Sequence, residues 1–467
     1  MSILPVEQMN ASMNVDILII GAGGCGLCAA LAANESGLEV AVLERDSSAL
    51  GTTSMSTGLI PAAGSELQRA AGIEDSAQIF AADINKKAAF KTNQQVVEKL
   101  AAESAQTIDW LVNQYQLPLT LVTGFTYPGH SVLRMHGMPG RSGQELMGAL
   151  SQAVENQQIP LVTDALVCDL YADDDKRVHG VRYTTPAAET EVIGCRKLIL
   201  ACCGFAGNKD MVSKYIPEIS KGEFFGHPGN KGDAIVWGLS LGAKTADMHA
   251  YQGHAGLAKG YGIPILWPII MEGGIQLNKL GQRFSNESLG YSEQAVNVLQ
   301  QPDAEAWTFY DERLHGLMLD FTDYQHALEA GAIYQADTLE EICEQCKLDL
   351  NNVTKTLRNI AQHAESDKED EYGRKFSPDK LLQAPYRAVK VTGALFHTQG
   401  GLEVDEHARV VSDNEQPLPN LYAGGGAARG ISGSGADGYI AGNGLLTATT
   451  LGRIAGQHAA SSIKQEQ

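Results

Sequence analysis

Residues 15–46 read VDILIIGAGGCGLCAALAANESGLEVAVLERD, and no other stretch limits the possible folds as tightly. From Val15 to Ile20 the chain carries the apolar run expected of a strand buried on both faces. Gly21, Gly23 and Gly26 follow at GxGxxG spacing and open a helical run. The spacing gives each glycine a task. Gly21 permits a tight turn, Gly23 and its neighbour Gly24 leave the backbone open to a phosphate, and Gly26 lets the helix lie close on the strand. The helix N-terminus then presents unpaired N–H groups and a partial positive charge. Glu44 closes the next strand, LEVAVLE, 18 residues past Gly26, where a carboxylate accepts hydrogen bonds from ribose hydroxyls. Strand, glycines, helix and acid in register predict a dinucleotide-binding βαβ unit.

Two further features decide which dinucleotide. After Glu44 and Arg45 comes GTTSMSTGL, which packs Thr52, Thr53, Ser54, Ser56 and Gly58 close to the expected ribose. Two more segments, KLILACCGFAGN at 197–208 and NLYAGGGAARGISGSGADGYIAGNGLL at 420–446, run from apolar residues into glycine-rich turns. Three such segments spread along the whole chain suit a longer cofactor than NAD, and the hydroxyl cluster suits a flavin.

Composition narrows the rest. A chain of 467 residues exceeds what one hydrophobic core usually supports, so two domains are expected. A formal net charge of −20 without a basic run argues against nucleic acid or an anionic membrane as partner. No apolar stretch is long enough to span a bilayer, and MSILPVEQMNASMN has neither a basic start nor an apolar core, which predicts a cytoplasmic enzyme. The eight cysteines read as reduced. The CxxC pairs Cys25/Cys28 and Cys343/Cys346 fall on predicted helices without neighbouring ligand pairs, so they read as packing residues and no metal site is expected.

The N-terminal fingerprint, the hydroxyl-rich segment, Ala201–Gly204, NKGDA at 230–234 with Asp233, HTQGG at 397–401 and NLYAGGG at 420–426 with Gly425 resemble the fumarate reductase and 3-ketosteroid dehydrogenase group of FAD flavoproteins. The resemblance spans essentially the full chain. It implies an α/β architecture: a Rossmann-like FAD-binding domain (1–248 and 397–467) interrupted by an α+β capping domain (249–396), with the active site between them. It also implies FAD contacts from Asn443 and Gly444. No histidine stands where some relatives attach flavin covalently, so non-covalent FAD is expected. The charged run 365–380, ESDKEDEYGRKFSPDK, reads as a solvated loop.

At the reacting end the resemblance is selective. Aligned on Arg283-Phe284-Ser285-Asn286-Glu287, Tyr291 stands where fumarate reductases carry their proton-donating arginine, and Leu266, Trp267 and Ile270 replace a threonine, a glutamate and another arginine. Leaving both carboxylates of fumarate without cations in a buried site costs several kcal/mol, so a dicarboxylate is the wrong substrate. A tyrosine after RF-x-NES instead resembles the ketosteroid dehydrogenases, where it removes the proton next to a ketone. The expectation is therefore desaturation of a cyclic ketone, an oxocyclohexane carboxylate or a 3-ketosteroid-like compound, with Tyr291 as base and flavin as hydride acceptor; enone or enoate reduction in the same fold is the alternative. An ordinary phenol titrates near 10, so Tyr291 needs hydrogen bonds or positive charge to lower it. Tyr439 and Tyr127 are candidates to polarise the ketone or relay the proton. The family's ketone-holding tyrosine and glycine align with Ile431 and Gly435, so only the Gly435 N–H remains. His254 and His397 read either as substrate ligands or as core histidines satisfied by backbone; Arg134 and Arg429 read as carboxylate ligands or structural arginines. An external electron acceptor, oxygen, a quinone or a protein, completes the cycle.

Overall fold

The computed structural model describes residues 2–466. Its larger sheet is organised by one long strand, Thr190–Leu200. On one side this strand pairs in parallel with Met13–Ile20, from Ile193 opposite Met13 to Leu200 opposite Ile20. On the other it pairs first with Val178–Thr184, antiparallel, and then in parallel with Pro417–Ala423. Met13–Ile20 in turn pairs in parallel with Val40–Leu43, so the predicted βαβ unit is present, with Gly24–Asn34 as its helix. Ile17, Leu18 and Ile19 are fully buried, each worth about 1.5–3 kcal/mol relative to exposure.

This register places the site. Ile20, Leu200 and Ala423 end adjacent parallel strands, so the turns beginning at Gly21, Ala201 and Gly424 leave the sheet side by side at its carboxyl edge. That edge is where ligands bind in open α/β sheets. The helix Gly24–Asn34 is apolar on every face because the C-terminal helix Asn443–Gln465 covers the side that the sheet does not. The two helices approach so closely that a Cβ on Gly452 would lie 2.3 Å from the Cys25 carbonyl oxygen.

A second sheet is centred on Tyr386–Thr398, flanked by Tyr251–Ala258 and Ala306–Asp311, with Ile333–Ala336 and the short Glu223–Phe224 also pairing to it. The central strand ends at the first sheet's glycine turns. Phe205 N–H donates to Thr398 Oγ1 (3.1 Å), and Gly430 N–H donates to the Gln399 carbonyl (2.7 Å). The helix Tyr291–Leu299 lies on this second sheet, pinned where Gly253 N–H donates to Ser292 Oγ (2.9 Å).

The run 365–380 departs from expectation. Its charges are not all solvated: Asp370 and Arg374 fold inward onto Arg283 and Glu287. Arg283 donates to both Glu287 oxygens (2.9 and 2.7 Å) and to Asp370, while Arg374 lies 3.1 Å from Glu287 and donates to the Gly274 and Ile270 carbonyls. Two cations and two carboxylates satisfy one another in a site that composition alone reads as surface. Among the described residues no helix is long and apolar enough to cross a membrane. The cysteines are unbridged, and Cys25, Cys28, Cys343 and Cys346 are buried in helices with their thiols pushed up, chiefly by burial.

Candidate active site

Two cavities open at the carboxyl edge and meet at Gly23, Ala201 and Cys203. The smaller, about 590 Å³ with its open mouth included, is walled by Gly21, Glu44, Arg45, Asp46, Gly51, Asp233 and Trp237 among others. Its geometry comes from the fingerprint. Ala22 N–H donates to Glu44 Oε2 (2.7 Å) and Asp46 N–H to Oε1 (3.0 Å), which fixes the carboxylate against the turn. A Cβ on Gly26 would sit 1.8 Å from the Gly21 carbonyl oxygen, so helix and strand meet there only through glycine. Burial raises the Asp233 carboxyl above the usual carboxylate range, and its Oδ1 has no partner.

The larger cavity, about 1330 Å³ with its open mouth included, starts at Gly23, Gly24, Thr52, Thr53, Ser56, Gly204 and Gly425 and continues toward the second sheet. Thr53 Oγ1 accepts from Gly24 N–H (3.1 Å), and Asn230 Nδ2 donates to Thr52 Oγ1 (3.0 Å), leaving the buried Asn230 Oδ1 without a partner. A Cβ at Gly23 would meet nothing nearer than Thr53 Oγ1 at 3.9 Å, so this glycine borders open space rather than packed protein. An unpaired polar atom in each of two cavities that meet at a bare glycine backbone fits a dinucleotide laid from Glu44 toward the second sheet, which is the shape of FAD.

Some predicted cofactor contacts lie off these walls. Ser54 turns its hydroxyl back to the Gly51 carbonyl (3.0 Å). Gly58 forms a left-handed turn against Ser142, and the buried Asn443 donates to Ser432 Oγ (2.6 Å). They support the turns that carry the wall. Cys203, in contrast, borders both cavities in a left-handed conformation (φ 66°) that is uncommon for a residue with a side chain.

At the far end of the larger cavity the aromatic groups converge. Tyr291, Tyr439, Tyr127, His254, Trp267, Phe396 and His397 all line it. Tyr291 lies with its ring centroid 5.1 Å from His254 and 5.9 Å from both Trp267 and Tyr439, and His254 stacks on Phe396 at 4.8 Å. The three tyrosines named from sequence thus share one cavity. Gly435 and Ile431 do not line it, which removes the support for Gly435 as a ketone ligand. Nor do Arg134 and Arg429: Arg134 is buried between Asp75 and Asp83, and Arg429 is paired with Asp247 and Glu403. Both are structural.

The electrostatics reverse one expectation. Among the described residues no Arg or Lys stands on the cavity wall, and the Tyr291 phenol is pushed well above its ordinary value, first by burial and then by Tyr439, Tyr127 and Glu293, with the Gly442 backbone working the other way. Tyr291 is therefore a phenol at neutral pH. Gly256 N–H donates to His254 Nδ1 (3.0 Å), so the proton of the neutral imidazole sits on Nε2, and burial holds the ring neutral down to about 3. Burial lowers His397 to about 4. Trp267 Nε1 is buried without an acceptor. Trp267 was visible only as a substitution of a charged family position, and Phe225, Gln252, Asp323 and Phe396 carry no motif at all.

Comparisons with known proteins agree with this geometry. The family model described as FAD binding domain matches residues 16–445. The probable fumarate reductase Ifc3 of Shewanella frigidimarina is 29% identical over 451 residues, covering 96% of this chain and 75% of that protein. The open conformation of a flavocytochrome c3 fumarate reductase superposes with a TM-score of 0.80 at 27% identity, over 98% of this chain and 80% of that one. The 3-ketosteroid-Δ4-(5α)-dehydrogenase of Rhodococcus jostii RHA1 shares the fold, with a TM-score of 0.76 at 22% identity over 98% and 100% of the two chains. A groove built from three glycine turns, matched along nearly its whole sequence, makes this chain a member of the FAD binding domain family and an FAD-dependent oxidoreductase.

Proposed function

We propose that the protein reduces a carbon–carbon double bond conjugated to a carbonyl in a ring-bearing substrate without a carboxylate, with Tyr291 giving the proton. The observation that carries this reading is the un-ionised Tyr291 phenol in a cavity without Arg or Lys. The Gly21–Gly24 turn, Glu44, Thr52, Thr53 and Asn230 would hold FAD, which when bound would supply the two-electron hydride exchange. The side chains do the rest. Trp267 Nε1–H and His254 Nε2–H are neutral donors for the carbonyl oxygen, and a neutral donor polarises a ketone without the charge that a dicarboxylate requires. Tyr291 releases its proton to the α carbon and is reprotonated through Tyr439, whose ring is 5.9 Å away. Leu266, Pro264 and Phe225 keep water from the ring. In this reading residues 249–396 cap the flavin, the enzyme is cytoplasmic, and an external donor renews the electrons.

One observation favours the reverse reaction, desaturation of a saturated ring ketone. Gly444 N–H donates to Tyr439 Oη (3.3 Å) at the N-terminus of Asn443–Gln465, where a helix dipole stabilises negative charge. This donor works against burial, which raises the Tyr439 phenol, and a phenolate formed there would let the Tyr291–Tyr439 pair take the α proton. Anaerobic mixing separates the two directions. The reduced protein is expected to be reoxidised by cyclic and aryl enones and left untouched by fumarate. Bleaching of the oxidised protein by saturated ring ketones, with no reoxidation by enones, selects desaturation instead; rapid reoxidation by fumarate overturns both.

A further inference from the structure

The larger cavity has one formally charged side chain on its wall, and it is acidic: Asp323. It enters at the first turn of the helix Thr322–Glu329, whose N-cap residue Phe321 makes no side-chain capping bond. The helix start is held firmly. Thr322 Oγ1 donates to the Gly140 carbonyl (2.9 Å), and the Phe321 ring lies 6.1 Å from Phe125, itself 5.2 Å from Tyr127 on the cavity wall. Yet the Asp323 carboxylate makes neither a hydrogen bond nor an ion pair with any described residue, whereas Asp75, Asp83, Asp247, Asp370 and Glu403 elsewhere in the fold are all paired with arginine. Burial of that unpaired carboxyl raises it to about 6. An acid left partly desolvated and without a partner costs stability, and a ligand carrying a donor relieves that cost.

Resting on the reductase reading above, we infer that Asp323 sets substrate specificity: it binds a hydrogen-bond donor, a hydroxyl or a protonated amine, carried on the ring of the substrate. The aromatic walls at Tyr127 and Trp267 suit the ring, and the cation-free cavity makes the carboxylate an attractive field for an ammonium and a repulsive one for an anion.

The test uses the oxidised, FAD-loaded protein and four matched probes: 4-phenylbut-3-en-2-one and its para-hydroxy, para-aminomethyl and para-carboxylate forms, with binding read by titration calorimetry. The hydroxy and aminomethyl probes should bind about tenfold or more tighter than the parent, and the carboxylate weakest. Asp323→Asn should keep part of the hydroxyl preference and lose that for ammonium; Asp323→Leu should bring the hydroxy and aminomethyl probes level with the parent. Parent and donor probes binding within about threefold of one another on the unmodified protein overturns the assignment. So does an unchanged ranking in Asp323→Leu, or no binding by any probe. If either variant fails to fold, the ranking on the unmodified protein still decides. A ranking that holds while no probe reoxidises the reduced protein removes the reductase reading and leaves Asp323 assigned; turnover of the parent with a flat ranking does the opposite.

Discussion

The two ends of the groove are built in different ways. The end at Glu44 is made of backbone: a strand, a glycine turn and a helix N-terminus set its shape, and Glu44 is locked by two N–H donors within the same short stretch. The end at Tyr291 is made of side chains that arrive separately, His254 on one strand, Trp267 before a short helix, Tyr291 at a helix start and Tyr439 from the last glycine turn. A backbone-built site accepts one kind of ligand, because its geometry follows from a few φ/ψ values. A site built from converging side chains can change its substrate by single exchanges while the cofactor end stays as it is. A probable fumarate reductase is 29% identical to this chain and a 3-ketosteroid dehydrogenase shares its fold, so proteins named for different substrates carry one architecture.

The strongest way to break this contrast is at Gly26. Alanine there forces its Cβ against the Gly21 carbonyl oxygen, which backbone alone can relieve by moving helix from strand. Gly26→Ala should cost about 3 kcal/mol or more and yield protein without bound flavin, as read by the ratio of flavin to protein absorbance and by thermal unfolding. A yellow, fully loaded variant would show that the close approach is dispensable.

Tyr291→Phe probes the other end and sharpens the comparison. Removing one hydroxyl leaves the ring packing against His254 and Trp267 intact, so flavin content and melting temperature should match the parent. The rate of reoxidation by an enone should fall about 10²–10⁴-fold, the usual worth of a positioned proton donor. A loss below about threefold would move the proton to another group.

The same contrast explains what the amino-acid sequence discloses. The βαβ unit, its acid and the two later glycine turns are local patterns with a fixed spacing, and all three turns do leave adjacent strands. Tyr291, Tyr439 and Tyr127 are recognisable by resemblance, and they share the cavity. What has no local pattern stays hidden. Asp323 looks like any acid in a helical first turn, and only the shape of the cavity sets it apart. Asp370 and Arg374 sit in a run whose composition says surface, because composition does not record which two charges in sixteen positions face Arg283 and Glu287. The state of Tyr291 was also beyond reach, since it depends on the absence of cations across a cavity formed by distant segments.

The smallest expected effect is a flat line. If the reacting end works with neutral groups, none of the groups proposed to touch the enone, Tyr291, His254 and Trp267, changes its protonation near physiological pH. Burial lowers His254 to about 3 and His397 to about 4, so both are already neutral above pH 5; Tyr291 is raised, so it is still protonated at pH 9. The rate of reoxidation by the unsubstituted aryl enone, which offers Asp323 no donor, should then vary by less than about threefold from pH 5 to 9. For the aminomethyl probe the dissociation constant should instead weaken as pH falls through about 6, where Asp323 takes up its proton and the charge that attracts the ammonium is lost. A limb near 6.5 in the rate itself that persists in Asp323→Leu would mean that a histidine delivers the proton, and Tyr291 would be left as a wall of the cavity.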